Sequence, residues 1–464
     1  MDGTIEIYFL GVFMTLRKYE NLEKKDLRYI WHPCSQMKDY ETLPPIVIDH
    51  AKGLYLYDIY GKKYADVISS WWCNLLGHSN PKINKAITNQ LKKLEHVIFA
   101  NFSNRAAIEL AEKLISVAPK GLSKVFFTDN GSSAVESALK MSFQYHYQTG
   151  NPQKKKFMAI SDAYHGETVG ALSVGGVDLY SKIFQPLLID ILRVQGPDCY
   201  RCPFNKNRET CKAECFVYAE KVLKKEAKNI AAFIIEPMLQ GSAGMRIYSP
   251  KYLKKLRKAC TKYNIHLIAD EIASGYGRTG KMFACNHADI TPDIMCVGKG
   301  LTGGYLPMAL TITNDKIYKA FYADYNEGKM FIHSHTYSGN PLACAAALEV
   351  LNVLEKENII EKTQEKAEFF NDLIKEEFSS NKFVGDIRNI GLINAIEIVE
   401  DKKTKKSFDA KRRTGYKIYK EALKLGLLLR PLGDVMYFNP PLTITEKEMI
   451  SVVKLCKKAF LPIL

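Results

Sequence analysis

The 464-residue sequence contains no run of 18 uninterrupted apolar residues, so it offers no membrane-spanning helix. It also lacks an internal repeat and a low-complexity linker. A content of 47% hydrophobic and 25% charged residues excludes wholesale disorder, collagen and a small disulfide scaffold. The length calls for two or three domains rather than one core. Residues Ile7 to Leu16 are apolar, but a cationic leader and a small-residue cleavage site are missing. No secretory signal is therefore expected, and Met14 stands as an alternative start to Met1.

Lys and Arg number 65 against 50 Asp and Glu, a formal charge of +15. The lysines are scattered rather than gathered in one arm, which argues against nucleic-acid binding. Eleven cysteines are present, an odd number, and Cys73, Cys285, Cys296 and Cys344 sit inside apolar stretches. That pattern suits reduced thiols in a cytoplasmic protein. Cys199, Cys202, Cys211 and Cys215 are clustered, with C-x-x-C and C-x-x-x-C spacing. They read either as a zinc staple or as free thiols on a surface insertion, over 197–216.

Tyr55 to Val67 reads as a hairpin turning at Gly61-Lys62-Lys63. Helical periodicity follows from about Ile83 to Leu94 and from Arg105 to Val117. Strands and helices then alternate. The strands are Lys124–Thr128, Phe157–Ser161, Ala231–Glu236, His266–Asp270, Ile294–Val297 and Met308–Ile312. Helices start near Ala134 and span Pro250–Tyr263 and about Pro341–Glu355. This order predicts an α/β domain built on a mostly parallel sheet. A smaller α+β domain, with strands Gly391–Ile398 and Leu427–Arg430, follows it. The boundaries are an N-terminal segment over 1–80 packing with the small domain, a large domain over 81–345 and the small domain over 346–464.

Three local patterns carry chemistry. Asn264-Ile-His-Leu-Ile-Ala-Asp270-Glu271 is an apolar strand delivering a carboxylate at its C-terminal end, where open α/β sheets place ligands. Asp293-Ile-Met-Cys-Val-Gly298-Lys299-Gly300 ends a second strand in one lysine among glycines; buried, such a lysine can form a Schiff base with a carbonyl. Asp129-Asn130-Gly131-Ser132-Ser133-Ala-Val-Glu136 opens a helix, with capping-box spacing at Ser133 and Glu136 and a free anion-binding end. Singly these read as a strand-end cap, a loop lysine and a well-capped helix. Together they are the protein groups that a pyridoxal phosphate enzyme requires: a carboxylate for the pyridine nitrogen, a lysine for the aldehyde and a cradle for the phosphate. Gly275-Tyr-Gly-Arg-Thr-Gly280-Lys281 mimics a nucleotide phosphate loop, but Met282 stands where Ser or Thr binds magnesium, and Asp270 and Glu271 lie just upstream.

The stretch Leu267-Ile-Ala-Asp270-Glu271-Ile-Ala-Ser-Gly-Tyr-Gly-Arg-Thr-Gly280, followed by Gly298-Lys299-Gly300, resembles the signature of the class III pyridoxal phosphate aminotransferases. The resemblance runs from about Trp31 to Pro441. It implies the type I aminotransferase fold, pyridoxal 5'-phosphate as cofactor, and a homodimer with active sites at the subunit interface. Trp31-His32-Pro33, Ser70-Trp71-Trp72, His333-Ser-His-Thr336-Tyr-Ser-Gly-Asn340-Pro341, Arg430-Pro431-Leu-Gly433 and Tyr437-Phe-Asn-Pro440-Pro441 narrow the likeness. They resemble the branch that converts 8-amino-7-oxononanoate to 7,8-diaminononanoate in biotin synthesis, with S-adenosylmethionine as amino donor.

Carried over residue by residue, the resemblance implies that Lys299 holds the cofactor and Asp270 its pyridine nitrogen. Gly131 and Ser132 cradle the phosphate, with Thr336 contributed by the partner subunit, and Tyr164 stacks on the ring. Trp71 and Trp72 wall the substrate channel, Arg430 takes the keto acid's carboxylate, and Tyr437 joins the substrate site. An adjacent pair in a strand faces opposite sides, so one tryptophan is free to belong to the core. Two positions depart from the pattern, Cys34 in place of tyrosine and His335 in place of proline. The alternatives are the same product with lysine as donor, a class III ω-aminotransferase acting on ornithine, acetylornithine or 4-aminobutyrate, and a non-catalytic binding protein on the same fold.

Overall fold

The computed structural model describes residues 22–464. The apolar stretch at Ile7–Leu16 and the alternative start Met14 lie outside them. A seven-stranded sheet forms the centre. Its strands, here β1 to β7 in chain order, are Leu122–Thr128, Lys156–Ile160, Leu192–Val194, Ile230–Ile235, His266–Asp270, Ile294–Val297 and Ala309–Asn314. They lie in the spatial order β1-β7-β6-β5-β4-β2-β3. All neighbours are parallel except those of β7, which runs antiparallel between β6 and β1. The expected mostly parallel sheet is therefore present.

The central strands are apolar along their length because both faces are covered, as parallel sheets require. Every residue of β4, β5 and β6 is buried. On one face Ile268, Ile294 and Ala309 pack with Ala134 and Ala138 of the helix Gly131–Gln148. On the other, Phe233 and Leu267 pack with Leu253, Leu256 and Cys260 of the helix Pro250–Lys262. Successive strand residues thus serve opposite cores.

Strands Ile48–Lys52, Tyr55–Asp58 and Lys63–Asp66 form an antiparallel meander, and Leu427–Leu428 adds to it in parallel. A third sheet pairs Val384–Ile390, Ile393–Ile398 and Val435–Phe438. The expected hairpin is present, as are the helices at Arg105–Val117, Pro250–Lys262 and Pro341–Lys356.

Two local readings need correction. The capping box expected at Ser133 and Glu136 is not formed. The Asn130 side chain accepts from the Ser133 amide at 3.1 Å, so the helix begins at Gly131 rather than near Ala134. Glu136 instead accepts from the Gly170 and Ala171 amides at 2.8 and 3.2 Å, capping the helix Val169–Val174. Trp71 and Trp72 do not lie in a strand. Ser69, Ser70, Trp71 and Trp72 all have positive φ, at 48°, 45°, 69° and 73°. This left-handed corner still splits the pair: Trp72 is 5% exposed and Trp71 43%.

Candidate active site

Five parallel strands deliver one cavity, each from its C-terminal end. Thr128 of β1 leads into Asn130, Gly131 and Ser132. Strand β2 leads to Tyr164, His165 and Gly166, β4 to Glu236, β5 ends in Asp270, and Val297 of β6 leads through Gly298 to Lys299. These residues line a cavity of about 380 Å³, which Trp72, Leu239 and Ile272 complete. Open α/β sheets bind ligands at this edge.

Asp270 is buried and fully engaged. Its Oδ2 lies 2.7 Å from His165 Nδ1, and its Oδ1 accepts from the Ile272 amide at 3.1 Å. The Lys299 ammonium faces the cavity, with Nζ 5.3 Å from the Trp72 ring centroid. Burial lowers its pKa, while Asp270 and Glu236 oppose the shift. Glu236 is buried and accepts from the amides of Tyr164 and Gly241 at 3.1 and 3.0 Å. Burial pushes its carboxyl up to about 7, with His165 opposing the rise and Asp270 adding to it. Glu236 and His165 are ionisable site residues that sequence reasoning missed. Glu236 ends an apolar strand, as Asp270 does, and that was the available signal.

The opposite end of the cavity is open backbone. A Cβ at Gly166, where φ is +125°, would lie 2.0 Å from Ser132 Oγ, and one at Gly131 would meet Ile272 Cδ1 at 3.0 Å. Ser132 Oγ accepts from the Glu167 amide at 3.2 Å. This cradle admits an anion at a helix N-terminus, as phosphate requires. A carboxylate, an ammonium and a cradle around a space with room for a flat ring fit pyridoxal 5'-phosphate.

Of the remaining sequence-derived candidates, Tyr164 lines the cavity with its hydroxyl donating to Glu167 Oε1 at 2.9 Å. Tyr437 is 1% exposed and stands behind Trp72, whose indole N–H it accepts. Trp71 lies outside, with the Arg430 guanidinium 4.7 Å above its ring. Arg430 lines a neighbouring cavity of about 600 Å³ shared with Cys34, Tyr40, Tyr416 and Tyr419. Its Nη2 donates to the Cys34 carbonyl at 3.0 Å. Thr336 is exposed and is not among the residues lining the cavity of its own chain.

The decoy loop has a structural use. Arg278, 1% exposed, donates through Nη2 to the carbonyls of Trp72 and Asn74, both at 3.1 Å, and through Nη1 to Pro440 at 2.6 Å. Asp66 holds the other side of the left-handed corner, accepting from the Ser70 amide at 3.0 Å and hydroxyl at 2.6 Å. Cys199, Cys202, Cys211 and Cys215 are half-buried free thiols. Among the described residues, no three His, Cys, Asp or Glu side chains are grouped to hold a metal ion. No described helix is long and apolar enough to cross a membrane.

The profile of the family "Aminotransferase class-III" matches residues 36–460, and the chain belongs to that family. It is a pyridoxal phosphate-dependent aminotransferase. Relatives named adenosylmethionine-8-amino-7-oxononanoate aminotransferase are similar over nearly the whole length. That of Methanocaldococcus jannaschii is 43% identical over 440 residues, covering 92% of this chain and 95% of its own. That of Aquifex aeolicus is 43% identical over 441 residues, covering 95% and 97%. The crystal structure of the Methanocaldococcus jannaschii enzyme superposes with a TM-score of 0.91 at 41% identity, over 96% of this chain and 99% of that one. An omega transaminase from Pseudomonas jessenii in complex with PMP gives 0.90 at 35% identity, over 95% and 98%.

Proposed function

We propose that this chain aminates 8-amino-7-oxononanoate to 7,8-diaminononanoate in biotin synthesis, with S-adenosylmethionine as donor. It works as a cytoplasmic homodimer with one cofactor per chain. The observation that carries the reading is the left-handed Trp71–Trp72 corner. It puts an apolar wall on the Lys299 cavity and an arginine-capped indole just outside it, which suits a nine-carbon chain ending in one carboxylate. The shared name of the relatives, which includes the donor, supports it. It is favoured over lysine as donor and over the ornithine, acetylornithine and 4-aminobutyrate enzymes.

Bound pyridoxal 5'-phosphate supplies an electron sink for the carbon that gains or loses the amino group. Asp270 keeps a proton on the pyridine nitrogen, and His165 orients that carboxylate. Lys299 Nζ would hold the cofactor's aldehyde carbon, and its free amine would move the proton at the reacting carbon. Gly131 and Ser132 cradle the phosphate, with Thr336 of the partner subunit completing the cradle. Tyr164 covers the ring face. Trp72 excludes water from the reacting carbon, Tyr437 fixes Trp72, and Trp71 borders the channel. Arg430, planar and forked, binds the terminal carboxylate bidentately.

The test is the visible absorbance of the purified holoenzyme, mixed separately with S-adenosylmethionine and with lysine. Adenosylmethionine should bleach the band of the lysine-bound cofactor, and 8-amino-7-oxononanoate should restore it. Bleaching by lysine alone would change the donor. A response to neither would move the chain to another ω-aminotransferase.

A further inference from the structure

His335 immediately precedes Thr336, and the structure gives it partners. Four side chains form a line. Lys140 Nζ is 3.0 Å from His333 Nδ1, His333 Nε2 is 3.3 Å from His335 Nε2, and His335 Nδ1 is 2.9 Å from Asp129 Oδ2. The directions follow from the chemistry. An ammonium only donates, so His333 accepts at Nδ1 and carries its proton on Nε2. His335 then accepts at Nε2 and donates from Nδ1 to the carboxylate. Both rings are satisfied in their neutral forms. Burial, Lys140 and His335 hold the His333 pKa below its ordinary value, with Glu136 opposing.

The two ends of the line matter for the cofactor. Asp129 immediately precedes Asn130, Gly131 and Ser132, the start of the phosphate cradle. His335 immediately precedes Thr336. The rest of the Thr336 segment is anchored separately. Phe331 packs edge-on against Phe126 at 5.4 Å, and Ser338 Oγ donates to the Phe127 carbonyl at 3.1 Å. The His335–Asp129 bond is therefore the polar tie nearest to both phosphate-binding elements. The second Asp129 oxygen, Oδ1, is buried without a partner. Deprived of His335, this carboxylate would stand unpaired beside the place of a phosphate dianion.

We propose that His335 is a positioning residue which, through Asp129, couples the phosphate cradle of one subunit to the threonine that the same subunit lends to its partner. The inference rests on the homodimer reading above. The ligand chemistry it senses is a phosphate monoester.

The experiment resolves the holoenzyme to apoenzyme and measures the affinity for pyridoxal 5'-phosphate and for pyridoxal, which lacks the phosphate. His335→Leu should bind pyridoxal 5'-phosphate about tenfold more weakly than wild type, with its affinity for pyridoxal unchanged. His335→Gln, which keeps an N–H donor, should recover most of the loss. Adding Asp129→Asn to His335→Leu should recover affinity, because the unpaired charge is gone. Equal losses for both ligands would show a general structural role and overturn the proposal. So would an unchanged affinity, or a double variant that merely sums the two single losses. Sedimentation of the wild type reads the dimer separately: a monomer that retains its cofactor would sink the shared-threonine reading on its own.

Discussion

The indole N–H of Trp72 donates to the hydroxyl of Tyr437 at 3.0 Å, and the two rings meet edge to face with centroids 6.1 Å apart. Both side chains are buried, so neither has water as a substitute partner. Tyr437→Phe should leave a buried donor unpaired and cost about 1–3 kcal/mol of stability. Denaturant unfolding measures that loss. Because Trp72 is the cavity wall, the KM for the keto acid should rise several-fold while Lys299 still takes up the cofactor. An unchanged stability together with an unchanged KM would show that the hydroxyl does not fix the wall.

Among the described residues lining the cavity, Lys299 offers the only ammonium. Lys299→Ala should lower turnover by at least about a thousandfold. The far-ultraviolet circular dichroism and the unfolding midpoint should stay near wild type. Turnover near wild type would contradict the role given to this lysine.

Arg430 lies outside the Lys299 cavity, stacked on Trp71. Arg430→Ala should therefore act on one half-reaction. The KM for 8-amino-7-oxononanoate should rise about ten- to a hundredfold, the worth of a charge-assisted pair. The rate with the amino donor should hold within about twofold. Single-turnover absorbance separates the halves, and equal losses in both would count against carboxylate recognition.

His266 of β5 stacks on His146 of the helix Gly131–Gln148, with ring centroids 4.5 Å apart. Burial brings His146 down to about 4 and His266 well below its ordinary value. Both are thus neutral in the fold, and both charge more readily in the unfolded chain. The stability they contribute is complete above about pH 6.5, their unfolded value, and is lost as pH falls toward 4. Urea midpoints should fall across that window in wild type and fall less in His146→Leu. Parallel slopes in the two proteins would place the acid sensitivity elsewhere.

Much of this architecture is legible in the sequence because burial writes itself as an apolar run with sharp polar ends. His266–Asp270 and Ile294–Val297 begin and end where the pattern says, and they carry Asp270 and Lys299 to the same edge. The three-residue edge strand Leu192–Val194 is too short to show a period. What escapes is what distant contacts decide. His165 finds Asp270 across 105 residues of chain, and nothing beside it announces the pairing. Ser133 has the right spacing to cap its helix, yet Asn130 is one turn earlier and does so. The glycine-rich run around Arg278 looks like a nucleotide loop and instead sends a guanidinium under the tryptophans.

That corner has an energetic cost. A left-handed conformation costs an ordinary residue roughly 1–2 kcal/mol, so four in succession oppose the fold by about 4–8 kcal/mol. That is comparable to the whole net stability of a small protein. It is held by Arg278 and the chain around Pro440, far away in the sequence, and by Asp66 just before it. The sheet edge that bears Asp270 asks this of a single ordinary residue there, Lys299, at φ 42°. The means of choosing a substrate thus depends more heavily on left-handed backbone, and on the distant contacts that hold it, than the reactive centre does.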